Sequence, residues 1–123
     1  MTTTTPFDPL TTPRYEDIEV GYQLPEIAQK VTIPVLLRWV ASSETLRRDH
    51  YDAKYAEVHD KIPGVVMSGS FSQAYIWQLL FNWVSPDGWV YRTAQRNAMS
   101  VNPGHTITFS GTVTNKYIKN DLG

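Results

Sequence analysis

The chain of 123 residues contains no cysteine and almost no excess of charge of either sign. The absence of cysteine excludes disulfide bonds, thiolate metal sites and a thiol nucleophile, and it is consistent with the reducing cytoplasm. Eleven basic and twelve acidic residues give a net charge of −1. Nucleic-acid-binding domains carry a basic stripe, and none is present here. We therefore expect a cytoplasmic protein that does not bind nucleic acid.

The sequence also lacks a membrane-spanning or secretory segment. The longest apolar run, AYIWQLLFNWV (74–84), is interrupted by Gln78 and Asn82 and is too short to cross a bilayer. The N-terminal stretch MTTTTPFDPLTTPR has neither a basic start nor an apolar core, so it is not a secretory signal. We expect no membrane partner, a flexible Thr- and Pro-rich tail over residues 1–13, and a single domain over residues 14–123.

Hydrophobic residues make up 41% of the chain, and their pattern predicts its elements. The stretch SGSFSQAYIWQLLFNWV predicts a helix over about Ser70–Val84, capped by Ser68 or Ser70 and apolar on every side. Such a helix should be buried on every side, by a sheet wrapped round it or at a subunit interface on another side. Residues 89–101 and 105–118 predict two antiparallel strands. One long buried helix with long strands indicates an α+β fold. Further elements are expected at residues 27–33 (a strand), 34–42 (a helix capped by Thr32) and 51–60 (a short helix).

A dense polar cluster, SSETLRRDHYDAKYA (42–56), follows the apolar stretch IPVLLRWVA. A cluster of charged side chains and a histidine directly after an apolar stretch could be where the chemistry of the protein takes place. The cluster could equally be a solvated helix end, with His50 at the surface and Asp49 capping the helix that begins near Tyr51. A metal site is not expected, because three ligands near His50 and His59 have no supporting residues.

Five segments, in this order, resemble the MaoC-like hydratase/dehydratase family: YEDIEVG (15–21), WVAS (39–42), HYDAKYA (50–56), PGVVMSG (63–69) and NPGHTITFSGTVT (102–114). The resemblance implies a hot-dog fold, in which an antiparallel sheet wraps round one long central helix. It implies the hydration of trans-2-enoyl thioesters of coenzyme A or acyl carrier protein, or the reverse dehydration, as in fatty acid metabolism. It also implies no cofactor, and a homo- or heterodimer with another hot-dog chain.

The resemblance assigns site residues as well. It implies that His50 is the catalytic histidine, and that Gly69, with Ser68 before it, binds the thioester oxygen at the start of the long helix. The family places an aspartate five residues before the histidine, where this chain has Thr45, whereas Glu44 lies six residues before. The carboxylate is therefore Glu44, or it has moved to Asp49, or the site is inactive.

The C-terminal end departs from the family pattern too. Relatives run on for one or two more strands after the segment that ends in KNDLG, so the domain is expected to lack C-terminal strands. A missing strand would leave an exposed sheet edge, so either the sequence is a fragment or a partner chain covers that edge. This departure supports a second reading: a non-catalytic subunit that binds acyl thioesters or is purely structural, within a heteromeric MaoC-like hydratase.

Overall fold

The structure, a computed structural model, describes residues 12–121 of the chain. Most of the predicted N-terminal tail, residues 1–11, lies outside the described residues, as do residues 122 and 123. The described residues form two compact units. Unit 1 contains residues 12–27, Tyr75–Thr93 and residues 108–121, and unit 2 contains Ala28–Ala74 and Ala94–Ile107.

Helix α1 spans Ile33–Ser43 and begins as its sequence predicts. The Thr32 side chain accepts a hydrogen bond from the Val35 N–H at 3.4 Å, which satisfies one of the free N–H groups of the first turn. Pro34 lies in that first turn, where its missing N–H costs nothing. The helix ends at Glu44, which has a left-handed backbone conformation (φ 52°).

Helix α2 spans Ala53–Tyr55 and continues as a π-helical turn over Ala56–Asp60, so the predicted short helix is present. Its cap is Asp52, whose side chain accepts from the Tyr55 N–H at 3.0 Å. The interpretation of Asp49 as this cap is wrong, because Asp49 lies in a preceding 3-10 turn, Arg48–His50, and its carboxylate bonds Arg47 instead.

Helix α3 spans Gly69–Val84, one residue longer at its start than predicted. Ser68 caps it, since its Oγ accepts from the Phe71 N–H at 3.2 Å. The single chain covers only part of this helix: Phe71 and Leu79 are buried, but Phe81 is 47% exposed. A helix without a polar face buries only the sides that other residues cover, and the described residues of one chain leave part of its surface open.

The sheet of the described residues contains two antiparallel strands, β1 (Ile27–Lys30) and β2 (Thr106–Phe109). Backbone hydrogen bonds extend the pairing within each unit, from Leu24 N to Gly111 O (2.8 Å) in unit 1 and from Val31 N to His105 O (2.8 Å) in unit 2. The prediction of a strand over 89–101 is wrong for this chain alone, and that over 105–118 holds only for β2. An extended segment becomes a strand only when a neighbour accepts its backbone bonds, and local alternation cannot supply that neighbour.

The best-packed core lies in unit 2, where Val31, Leu36 and Val65 are buried together. Met67, Val101 and Ile107 pack against them. In unit 1, Leu24 and Leu79 are buried, and the rings of Tyr75 and Phe109 stack with their centroids 5.1 Å apart. No helix within residues 12–121 is long and apolar enough to cross a membrane.

Candidate active site

His50 is buried in unit 2, with 8% of its surface exposed, and one backbone carbonyl fixes its ring. His50 Nδ1 lies 2.9 Å from the Val66 carbonyl oxygen. A carbonyl oxygen only accepts, so Nδ1 carries a hydrogen, and whenever the ring is neutral the free lone pair is on Nε2. The ring is thereby held in the tautomer that a general base requires.

The Asp49 carboxylate lies next to that free nitrogen. Its Oδ1 is 3.9 Å from His50 Nε2, too far for a direct hydrogen bond but close enough for one water to contact both atoms at ordinary hydrogen-bond distances. Asp49 is itself only 4% exposed. Val66 N–H donates to the Asp49 backbone oxygen at 3.0 Å, so the backbone of Val66 holds both residues of the pair.

Arg47 fixes the orientation of the Asp49 side chain. Its Nε lies 3.2 Å from Oδ1 and its second guanidinium nitrogen 2.9 Å from Oδ2, a forked pairing of the kind that guanidinium groups form with carboxylates. The Arg47 side chain is 73% exposed.

Glu44 lies apart from this arrangement. Its side chain is exposed, and the structure shows no hydrogen bond or ion pair between it and any residue of 12–121. Its left-handed backbone marks the end of α1. The structure therefore brings Asp49 next to His50 and does not bring Glu44 there.

Arg48 and Asp52 form a second ion pair beside the site, at 2.6 Å, and the Arg48 guanidinium also lies over the Tyr55 ring. The Tyr55 N–H bond, with the Arg48 bond second, lowers the pKa of Asp52 below its usual range. The Asp52 bond in turn raises the pKa of Arg48. Both side chains are exposed enough that this pair orders the short helix rather than taking part in chemistry.

Several hydrogen-bond donors lie at the start of α3. Ser68 is buried (3% exposed), and its Oγ lies 3.0 Å from Ser70 Oγ, which accepts from Trp39 Nε1 at 3.3 Å. The two hydroxyls carry two hydrogens and their mutual bond uses one. The other hydrogen has no acceptor within residues 12–121. This hydroxyl hydrogen and the free N–H groups at the start of the helix near Gly69 are available to donate to an oxygen of a ligand.

Sequence reasoning missed the residues that support these groups. The Asn102 side-chain amide donates to the carbonyl oxygens of Pro63 and Val65, both at 2.9 Å, and so holds the loop that leads to Val66. An asparagine beside a Pro-Gly turn, as in NPGH, is the one local signal that could have indicated this contact. No group of three or more His, Asp or Glu residues in the described part of the chain is arranged to hold a metal ion.

Several solved structures are similar to this chain, and two of them are compared with it here. The ChsH1–ChsH2 complex from Mycobacterium tuberculosis matches with a TM-score of 0.74 and 19% identity, over 81% of this chain and 78% of that chain. R-hydratase PhaJ1 from Pseudomonas aeruginosa, in its unliganded form, matches with a TM-score of 0.74 and 23% identity, over 90% of this chain and 71% of that chain. No protein-family model matches the chain, and no curated protein gives a significant match. The chain thus shares the hot-dog fold of these two structures, and the predicted α+β hot-dog architecture is confirmed.

Proposed function

We propose that the chain is a hydratase/dehydratase that acts on trans-2-enoyl thioesters of coenzyme A or acyl carrier protein. One observation carries the proposal: a buried histidine with a fixed tautomer, His50, presents its free nitrogen 3.9 Å from a buried carboxylate oxygen of Asp49. The fold that this chain shares with a protein named as an R-hydratase adds support. The lack of cysteine favours action in the cytoplasm.

In the proposed reaction, a water held between His50 and Asp49 attacks the β-carbon of the enoyl group. His50 Nε2 takes one proton of that water as its oxygen bonds to carbon. The α-carbon then receives a proton from His50 or through the carboxylate, so that H and OH add across the double bond and the enzyme returns to its starting state. Dehydration runs through the same steps in reverse.

Negative charge develops on the thioester oxygen during this addition, and the start of α3 is the proposed place for it. The N–H groups near Gly69 and the uncommitted hydroxyl hydrogen of the Ser68–Ser70 pair are donors that exist before the substrate binds. Donors fixed in advance stabilise developing charge without reorganisation, which is commonly the largest contribution to catalysis. The positive end of the helix dipole acts in the same sense.

A second candidate function is a non-catalytic subunit that binds acyl thioesters or supports a related hot-dog chain. Two observations favour it: Arg47 already occupies both oxygens of the Asp49 carboxylate, and Trp89 and Tyr91 are 82% and 91% exposed in the single chain. One of the neighbouring structures is a two-protein complex. We propose that this chain too works in a homo- or heterodimer with a hot-dog partner.

The test is the loss of ultraviolet absorbance of enoyl-CoA on hydration, run with purified protein on acyl groups from crotonyl to bulky chains. Turnover of at least one substrate by the chain alone supports the hydratase. Binding of acyl-CoA without turnover of any member contradicts it and supports the subunit function. A parallel run with a co-expressed hot-dog partner shows whether activity needs the second chain.

A further inference from the structure

The first turn of α3 is tied to the segment 95–97 by side-chain hydrogen bonds within unit 2. Gln95 Nε2 lies 2.7 Å from both Ser72 Oγ and Asn97 Oδ1, and 3.4 Å from the Gly69 carbonyl oxygen. Ser72 Oγ lies 2.9 Å from the same carbonyl oxygen. The Gln95 and Ser72 side chains therefore both contact the Gly69 carbonyl oxygen, and Gln95 also bonds to Asn97. The proposed mechanism uses none of these three side chains.

The hydrogen bonds of Gln95 assign which way the Asn97 amide faces. The two hydrogens of the Gln95 NH₂ group meet three oxygens: the short contacts are to Ser72 Oγ and Asn97 Oδ1, both at 2.7 Å, and the longer one is to the Gly69 carbonyl oxygen. Asn97 therefore presents its oxygen to Gln95. The Asn97 NH₂ group is then directed to the other side, and none of its hydrogens has an acceptor within residues 12–121.

The Asn97 NH₂ group lies directly against Gly69. A Cβ added to Gly69 would collide with Asn97 Nδ2 and would lie 3.5 Å from Asn97 Cγ. The absence of a side chain at Gly69 thus allows this close approach, since a Cβ there would displace the end of the Asn97 side chain. Both residues are exposed, so a ligand can reach them.

We propose that Asn97 is a substrate-binding residue of this site, whose Nδ2 donates a hydrogen bond to the thioester carbonyl oxygen of the acyl ligand. Gln95 and Ser72 are positioning residues that hold Asn97 in this orientation. The inference rests on the proposed function, because it takes the start of α3 as the place where the thioester oxygen lies. A side-chain amide beside the helix N–H groups gives the developing negative charge a further fixed donor.

Two substitutions distinguish the hydrogen-bond donor function of Asn97 from its structural contact with Gln95. Asn97→Asp keeps the acceptor for Gln95 and removes both N–H donors, whereas Asn97→Ala removes both functions. Asn115→Asp, at an exposed position, is the matched control for the added charge. Each Asn97 variant should lower kcat at least ~10-fold with KM changed less than ~3-fold, since the donor acts mainly on the developing charge. The loss should be equal for enoyl-CoA and for the short N-acetylcysteamine thioester, because the contact is to the acyl thioester and not to the carrier arm.

A second readout does not need turnover. The carbonyl stretch of a bound ¹³C-labelled thioester should lie at higher frequency in Asn97→Ala than in the wild-type protein, because one hydrogen bond to the oxygen is lost. If wild type is active and both variants keep kcat and this frequency, or lose activity only with the coenzyme A substrate, the proposal for Asn97 is overturned while the hydratase stands. If wild type binds no acyl thioester, the proposed function and this inference fall together.

Discussion

At the scale of single residues, Val66 has the most effect on the site without contributing a side chain to it. Its carbonyl oxygen holds His50 Nδ1 at 2.9 Å and its N–H holds the Asp49 backbone at 3.0 Å. Both bonds join residues sixteen or more positions apart, so they cannot be read from the local pattern of the sequence. The sequence supplied the histidine and two candidate carboxylates, and only the folded chain distinguishes their surroundings.

The first prediction concerns which carboxylate acts. Asp49→Asn should lower the hydration rate at least ~10²-fold, the usual scale for loss of a general acid or base, because the amide cannot accept a proton beside His50. Glu44→Gln should change the rate less than ~2-fold, since the Glu44 side chain is exposed and makes no hydrogen bond or ion pair with residues 12–121. The two rates are measured with the same enoyl-CoA substrate, and Asp60→Asn is the control for an exposed aspartate. A large loss in Glu44→Gln with full activity in Asp49→Asn would reverse the assignment.

The second prediction concerns the dependence of stability on pH. Hydrogen bonds from the Tyr55 N–H and from Arg48 lower the pKa of Asp52 in the folded chain. A carboxylate whose pKa is lower in the folded state stabilises the fold above its unfolded pKa of about 3.9, and that contribution is lost as the pH falls through the folded pKa. Asp52→Asn should therefore lower the unfolding temperature at pH 7, and its difference from wild type should shrink as the pH approaches 3. A difference that is constant from pH 7 to pH 3 would show that the charge of Asp52 does not contribute.

At the scale of elements, the helices were more predictable than the strands. The caps Thr32 and Ser68 are local signals, and both helices begin where these residues stand. The segment 89–101 alternates as a strand does, yet it forms no ladder in the described residues. Helix hydrogen bonds close within one turn, whereas a strand depends on a partner that is distant in sequence or lies in another chain. The contacts of Asn97 and Asn102 could not be predicted for the same reason, because they join residues 25 and 39 positions apart.

The third prediction concerns the loop 63–66. Asn102 donates to the carbonyl oxygens of Pro63 and Val65, and the next carbonyl along the chain, that of Val66, holds His50. Asn102→Asp keeps the shape but replaces both donors with a carboxylate that repels the carbonyls. The free energy of unfolding should fall by about 1–3 kcal/mol, the range for two hydrogen bonds, as measured by urea denaturation.

The pH profile of activity is the second measurement on Asn102→Asp. If the pH profile of Asn102→Asp differs from that of Asn115→Asp, the loop affects the acid–base behaviour of His50. If the pH profile is unchanged and only the stability falls, Asn102 stabilises the loop without affecting the chemistry of His50.

At the scale of the whole molecule, the exposed aromatic side chains of unit 1 indicate a partner. Trp89 and Tyr91 are 82% and 91% exposed, and large apolar side chains exposed close together are typical of interaction surfaces. The fourth prediction is that the purified chain sediments as a dimer at micromolar concentration, alone or with a co-expressed hot-dog chain. Tyr91→Ser should weaken this association at least ~10-fold, whereas Val58→Ser, 54% exposed elsewhere, should not. A monodisperse monomer under both conditions would contradict the proposed assembly.

The most direct test of the central claim, that His50 is the acid–base group of an enoyl-thioester hydratase, compares wild type with His50→Asn. Asparagine can keep a donor for the Val66 carbonyl while removing Nε2, so the fold should hold and the chemistry should fail. We predict that wild type hydrates crotonyl-CoA and that His50→Asn loses at least ~10²-fold in kcat/KM, with the exposed His105→Asn unchanged. Full activity in a well-folded His50→Asn protein would contradict the account.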